Sequence, residues 1–368
     1  MRRTSKKRCS LVTLLCLPLW AFLGIAPIGC HADDEDTRGF RRPAEFPYET
    51  LADYDFFDGP LADFIAAPGV IPYQVTSPLW ADHAGKARFL VLPEGTHVVP
   101  DGSEDWLYPI GTVIIKTFYF SQDLRRPNDT VRPIETRLLI KEGDDWKGHT
   151  YIWNADLSNA TRKVSGSRLN LAFTNESGDE ETQEYIVPNT NQCKDCHELN
   201  HVSRPLGFVS RQLDREVARE NSTVSQLAWL NEQDVFEPAL NPLETGHLVD
   251  PFGDAPLVER ARSYLDANCA HCHRDGGNGG PSGLVLLASE TRPRAYGVCK
   301  GPVAAGDGTG GHYNDILPGH PDQSIIVHRM KSTDPEIKMP EIPNRLPHEA
   351  GIELISDWIL SMPEMSCD

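Results

Sequence analysis

The sequence predicts an α+β, multi-domain protein in which an N-terminal β-sandwich-like domain is followed by an all-α domain. Three observations carry this. Apolar and polar residues alternate at period two through the first half, apolar residues return at helical spacing after Pro256 and after Pro347, and 368 residues leave room for two domains. At 39% hydrophobic and 24% charged the composition is that of a folded globular protein.

The first segment is an export signal. Arg2, Arg3, Lys6, Lys7 and Arg8 precede an apolar stretch from Leu11 to Ile28, and Gly29-Cys30-His31-Ala32 closes it before the acidic run Asp33 to Asp36. The stretch has the length of a membrane span, but Pro18 and Pro27 interrupt it, which favours cleavage. Two cleavage readings stay open. Gly29-Cys30 fits a lipoprotein site, with a lipidated Cys30 attaching the mature protein to a membrane; Cys30-His31-Ala32 fits an ordinary small-residue site. Pro27 stands where lipoprotein signals usually carry Leu.

Charge narrows the partners. The chain has 35 Lys+Arg against 53 Asp+Glu, a net charge of −18, and loss of residues 1–30 leaves 30 against 53, a net charge of −23. No basic cluster follows the first eight residues, so a nucleic-acid partner is excluded, since binding phosphates needs a concentrated basic surface. An acidic surface suits basic partners such as small soluble redox proteins, and equally serves solubility alone.

Residues 31–190 read as a β-rich domain. Val113, Ile115, Thr117 and Tyr119 alternate with Ile114, Lys116, Phe118 and Phe120, and Thr136–Ile140 and Thr150–Asn154 flank a Gly-Asp-Asp turn at 143–145. Trp106, Trp146, Tyr151 and Trp153 are expected to fill its core rather than to bind a ligand. Residues 191–253 then pass through a helical segment from Thr223 to Val235 and a proline-rich linker from Asn241. Residues 254–368 form the helical domain. Leu257, Ala261, Tyr264, Leu265 and Asn268 repeat straight into Cys269, and Ile352, Ile355, Trp358 and Ile359 share one face of the closing helix.

Nine cysteines sort by position. Cys9 and Cys16 leave with the signal, and Cys30 is lipidated or lost. Of the six that remain, four make two copies of C-x-x-C-H: Cys193-Lys194-Asp195-Cys196-His197 and Cys269-Ala270-His271-Cys272-His273. This is the attachment pattern of c-type haem. Two thiols three residues apart on one helical turn face the same way, so both reach the vinyl groups along one porphyrin edge, and the next residue brings an imidazole under the iron. The pattern therefore predicts two covalently bound haem c groups with His197 and His273 as axial ligands, and the helical domain becomes an all-α class I cytochrome c-like domain. A structural zinc site wants its two pairs about 15–20 residues apart and a redox dithiol wants a βαβ setting; neither is found here. Cys299 and Cys367 remain as a pair that an oxidising compartment would join.

For the second haem, Met339, followed by Pro340, is the expected sixth ligand, with Met330 as its rival in a short helical run, Ser324 to Met330. The first haem has no methionine between the signal and Met330. Its iron takes a histidine (His201, His247, His149, His97, His83 or His312), stays five-coordinate, or borrows a thioether from the other domain.

The stretches RSYLDANCAHCHRDGG from Arg262, CKGPVAAGDGTGG from Cys299 and DILPGHPDQSIIVHRMKSTDPEIKMP from Asp315, with SPLWADHAGKARFLVLPEGT from Ser77 and PIGTVIIKTFYF from Pro109, resemble a family of exported bacterial diheme c-type cytochromes. The resemblance covers nearly all of the mature chain. It implies haem attachment at Cys193, Cys196, Cys269 and Cys272, with His197, His273 and Met339 on the irons, and no substrate. The expectation is a periplasmic protein passing electrons between a redox donor and an acceptor. The alternatives are a diheme enzyme such as a peroxidase, with the first haem as its catalytic site, and a docking module whose β domain binds a partner enzyme.

Overall fold

The strand-forming stretches assemble into one antiparallel meander. The computed structural model describes residues 46–367 apart from 102–105, 128, 220–221, 242–245, 304 and 342–343. The expected export signal, with Cys30, lies outside the described residues. Strands β1 (Val70–Pro72), β2 (Gly85–Val91), β3 (Val113–Ser121), β4 (Val131–Glu142), β5 (Asp145–Trp153) and β6 (Ala160–Arg162) pair in sequence order as a six-stranded sheet. Gly143 and Asp144 form the two-residue loop between β4 and β5, and Gly143 takes the left-handed φ of +62° that its first position requires.

Both faces of this sheet are buried. On one, Phe89, Val91, Val113, Ile115, Leu138, Ile140, Tyr151 and Trp153 pack under Leu51, Tyr54, Phe56 and Phe57 of the segment preceding β1. On the other, Leu90, Ile114 and Trp146 meet Phe208, Leu213, Leu227 and Phe236. The four aromatic residues expected in the core are there: Trp106, Trp146, Tyr151 and Trp153 are all buried. A separate hairpin of β7 (Ser167–Thr174) and β8 (Glu180–Val187) closes one end, packing Phe173, Tyr185 and Val187 on Phe118, Phe120 and Ile134.

After β8 the chain makes α1 (Cys193–His197), the two-residue strands β9 (Glu198–Leu199) and β10 (Val202–Ser203), α2 (Ser210–Leu213), the hairpin β11 (Glu216–Arg219) and β12 (Ser222–Ser225), and α3 (Gln226–Glu232). Three further helices follow: α4 (Leu257–Asn268), α5 (Ile325–Lys331) and α6 (Glu349–Leu360). Leu265, Val327, Met330, Ile352, Ile355, Trp358 and Ile359 form their shared core. No helix among the described residues is long and apolar enough to cross a membrane.

These observations correct the expected fold class. Among the described residues there is neither a β-sandwich nor an all-α class I cytochrome c-like domain: they are mostly β, with one six-stranded antiparallel sheet dominating and only about 20% helix. Alternation marked two-sided strands, but among the described residues the two sides are covered by irregular chain, short helices and the small β7–β8 hairpin rather than by a second large sheet. The helical periodicity was also real, yet α4 is buried nearly all round, from Ala261 to Asp266 and again at Asn268. A helix enclosed on every side belongs to the middle of a molecule rather than to the rim of a separate bundle. Its polar groups are satisfied from the β region: the Ser77 hydroxyl donates to Ser263 O at 2.9 Å, Trp80 N donates to Asn268 Oδ1 at 2.7 Å, and Arg211 Nε pairs with Asp266 Oδ1 at 3.0 Å.

Candidate functional site

The first motif is itself a helix. Asn189 Oδ1 accepts from the amides of Asn191 and Gln192, both at 3.0 Å, and this local turn starts α1 directly behind β8. The side chain of Cys193 lies on β5 at Gly148, where a Cβ would stand 3.5 Å from the sulfur. Asn200 and His201, both with left-handed φ (50° and 65°), turn β9 tightly into β10 and bring Arg204 back to the motif. There His197 Nδ1 lies 2.9 Å from Arg204 O, and Arg204 N donates to His197 O at 2.7 Å.

The second motif follows α4 without a break, Cys269 capping the helix. Cys272 N and His273 N both return to Cys269 O, at 3.1 and 2.9 Å. His273 Nδ1 lies 3.1 Å from Ser282 Oγ, whose hydroxyl donates to Gly279 O at 2.5 Å. Gly279 is needed here, since a Cβ would come within 2.9 Å of the His273 ring.

Hydrogen-bond logic fixes both tautomers. A carbonyl only accepts, so His197 Nδ1 carries the proton. Ser282 has spent its hydrogen on Gly279 O, so it too accepts, from His273 Nδ1. Each neutral ring then presents the Nε2 lone pair, as a metal-binding imidazole does. Burial pushes both imidazoles down to about 4, with Lys116 adding to the effect at His197 and His271 and Arg329 at His273. Both are therefore neutral at neutral pH.

The four motif cysteines are free thiols, whereas Cys299 and Cys367 form a disulfide, the pairing raised from the sequence. Burial pushes the Cys269 thiol up to about 12. The two motifs abut: Cys272 Sγ lies 3.2 Å from Asp195 O, Asn278 Nδ2 donates to the same carbonyl at 2.9 Å, and Asn200 N donates to Gly276 O at 2.9 Å. Donor atoms of Cys196, His271 and Cys272 all lie within 4.8 Å of one another. Hydrogen bonds with Cys272 and His271 hold the Cys196 thiol below its ordinary range, while the bond with Cys196, together with burial, pushes Cys272 above its own.

Each motif opens on its own cavity. The first, of about 150 Å³, lies between α1 and the sheet and contains Cys193, Cys196 and His197. The second, of about 410 Å³, lies among the helices and contains Cys269, Cys272, His273 and Met339, together with Met330. Met339 N donates to Arg329 O at 3.0 Å, so α5 positions it, while Met330 also packs in the helical core. Of the histidines weighed for the first iron, His149 lines the first cavity, its Nε2 3.1 Å from Glu142 Oε1. His201 is turned out to solvent, its side chain 98% exposed.

Sequence reasoning missed His271, which lines both cavities, and three cations of the first: Arg88, Lys116 and Arg137. Their one signal was Lys116, a lone charge inside the otherwise apolar β3, whereas β2 and β4 carry several charges each. Burial, with Arg88 and Arg137 adding repulsion, pushes the Lys116 ammonium down to about 7.

The residues fit two covalently attached haems by their own chemistry: in each cavity two unoxidised thiols and one imidazole with a free Nε2 lone pair, and a thioether at Met339 in the second. No protein-family model, no curated protein and no solved structure matches this chain.

Proposed function

We propose that this chain is an exported, periplasmic c-type cytochrome that carries two covalently bound haem c groups and passes electrons between a donor and an acceptor protein. A lipidated Cys30 is the corresponding proposal for membrane attachment. The observation that carries the reading is the pair of oriented imidazoles, His197 held by Arg204 O and His273 by Ser282 Oγ, each beside two free thiols. A bound haem supplies a one-electron iron couple whose potential depends on its axial ligands.

The chain's own residues do the rest. Cys193 and Cys196, and Cys269 and Cys272, would hold the two porphyrins as thioethers. His197 and His273 offer Nε2, and Met339 offers a soft sulfur in the second cavity, which favours the ferrous state and raises the potential there. Because Cys196 and Cys272 meet, haems held by the two motifs would be attached through neighbouring residues.

One further reading has an observation behind it. Cys196, His271 and Cys272 make a three-donor group for a soft divalent metal, one ligand short of a closed zinc site. Mass spectrometry of the denatured protein, made where haem attachment is active, separates the two. The expected result is the polypeptide plus two haems, falling to one in Cys193→Ala/Cys196→Ala and to one in Cys269→Ala/Cys272→Ala. A haem-free polypeptide with four titratable thiols, together with one zinc per chain in elemental analysis of the native protein, would overturn the proposal in favour of the metal site.

A further inference from the structure

The first cavity gathers positive charge in a chain whose net charge is −18. Arg88, Lys116, Arg137, Arg204, Arg211 and Arg274 line it, and among the described residues Asp266 is the one carboxylate on the lining, already paired with Arg211 at 3.0 Å. Three of these cations stand in a row. The strand register sets Arg88 of β2 directly opposite Lys116 of β3, and Lys116 opposite Arg137 of β4. Cross-strand neighbours approach within about 5.5 Å, and like charges at that spacing destabilise a sheet. Compensation is incomplete. Glu135 pairs with Arg137, whereas Arg88 donates only to Lys86 O at 3.4 Å, and the Lys116 ammonium makes no hydrogen bond or ion pair among the described residues.

A fully solvated charge run would need no explanation, but this row is half-buried on a covered face of the sheet. Leu90, Ile114 and Trp146 pack on one side of it and Phe118 on the other, with the guanidinium of Arg137 4.3 Å over the Phe118 ring. Removing cations from water without counter-charges costs several kcal/mol each. A sheet retains such a row when an anion completes it, and the flat, two-oxygen shape that suits an Arg-Lys-Arg row is a carboxylate.

We propose that Arg88, Lys116 and Arg137 form a carboxylate-binding row on the floor of the first cavity, sized for a pair of carboxylates. The two carboxylates of a haem tethered at Cys193 and Cys196 would supply them, in which case the inference rests on the diheme reading; a free dicarboxylate has the same chemistry.

The test uses Lys116→Met and Arg88→Gln in the full-length, haem-loaded protein, with haem count by mass, the midpoint potential of each haem, the melting temperature and calorimetric titration with succinate. Loss of a cation beside the first haem should lower that haem's potential alone, because the ferric iron loses a repelling neighbour. The melting temperature should fall, since a neutralised carboxylate loses its partner, and wild type should take up no succinate. If potentials stay fixed while wild type binds succinate and Lys116→Met binds it at least tenfold more weakly, the row still binds carboxylates and their source is a free ligand. Unmoved potentials, no succinate binding and a higher melting temperature in Lys116→Met would overturn the proposal, because a bare buried charge is relieved by an apolar isostere. A wild-type protein without covalent haem would sink the diheme reading, leaving the row to be judged by succinate and by the sign of the melting shift. Should Lys116→Met fail to fold, Arg88→Gln carries the same readouts.

Discussion

The same five-residue pattern stands in two unlike surroundings. The motif at Cys193–His197 faces a sheet, in a narrow cavity rich in cations and with no methionine among the described residues of its lining. The motif at Cys269–His273 faces helices and turns, in a wider cavity with Met330 and Met339, where Lys300, Arg329, Lys338 and Arg345 are matched by Asp195, Asp315 and Glu341. Lys300 and Asp315 pair directly at 2.8 Å, and Lys338 donates to the carbonyls of Pro340 and Glu341. The lesson is that the motif fixes only the placing of two thiols and an imidazole; the remaining chemistry is set by whichever wall the fold brings opposite. Under the diheme proposal the two irons therefore differ, with the higher potential in the second cavity.

Four perturbations of the second cavity should leave the first untouched if the two are independent, and each would sharpen or break the contrast. The largest effect is expected from Cys299→Ser, which opens a loop spanning 68 residues. Loop-closure entropy sets the loss at about 4 kcal/mol, read as a lower urea midpoint, with the first haem's spectrum unchanged. Ile355→Ala removes a fully buried side chain from the α4–α6 core and should cost about 3 kcal/mol in the same measurement. Met339→Ala should lower the second haem's potential by roughly 100 mV, on the order of 2 kcal/mol, because axial ligands command most of the accessible range; an unchanged potential would return the assignment to Met330.

The smallest effect concerns acid. His348 stacks on Trp80 at 4.1 Å and shares a hydrogen bond with the Tyr264 hydroxyl, and burial pushes its imidazole down to about 4. The unfolded chain takes up a proton near pH 6.5 that the folded chain refuses. Stability from this group is thus complete above pH 6.5 and lost as pH falls toward 4. Allowing for partial exposure, the loss is on the order of 1 kcal/mol. His348→Gln should flatten the stability profile in that window; an equal slope in both proteins would mean that other groups carry it.

Much of the local structure was legible in the residues. The β4–β5 hairpin, the helix entering Cys269 and the closing helix with Ile352, Ile355, Trp358 and Ile359 were readable because each depends on neighbours in sequence, whereas the small inventory of thiols raised the Cys299–Cys367 bond without fixing it, since reach is not written in the sequence. What was not legible depends on long-range placement. Periodicity shows that α4 has an apolar stripe but not that Ser77, Trp80 and Arg211 enclose its polar side, and so a separate helical domain was expected where none exists. The row through Lys116 was equally hidden, since it needs the register of three strands at once. A single lysine inside Val-Ile-Ile-Lys-Thr-Phe was the only trace it left.

The meeting of Cys196 with Cys272 also bears on how the protein is made. Two thiols this near each other are one two-electron oxidation away from a crosslink that would disable both attachment motifs together. A compartment oxidising enough to close Cys299–Cys367 favours that wrong bond as well. Under the diheme proposal this pair would have to stay reduced until haem attachment, and a chain oxidised there would be unable to take up either haem.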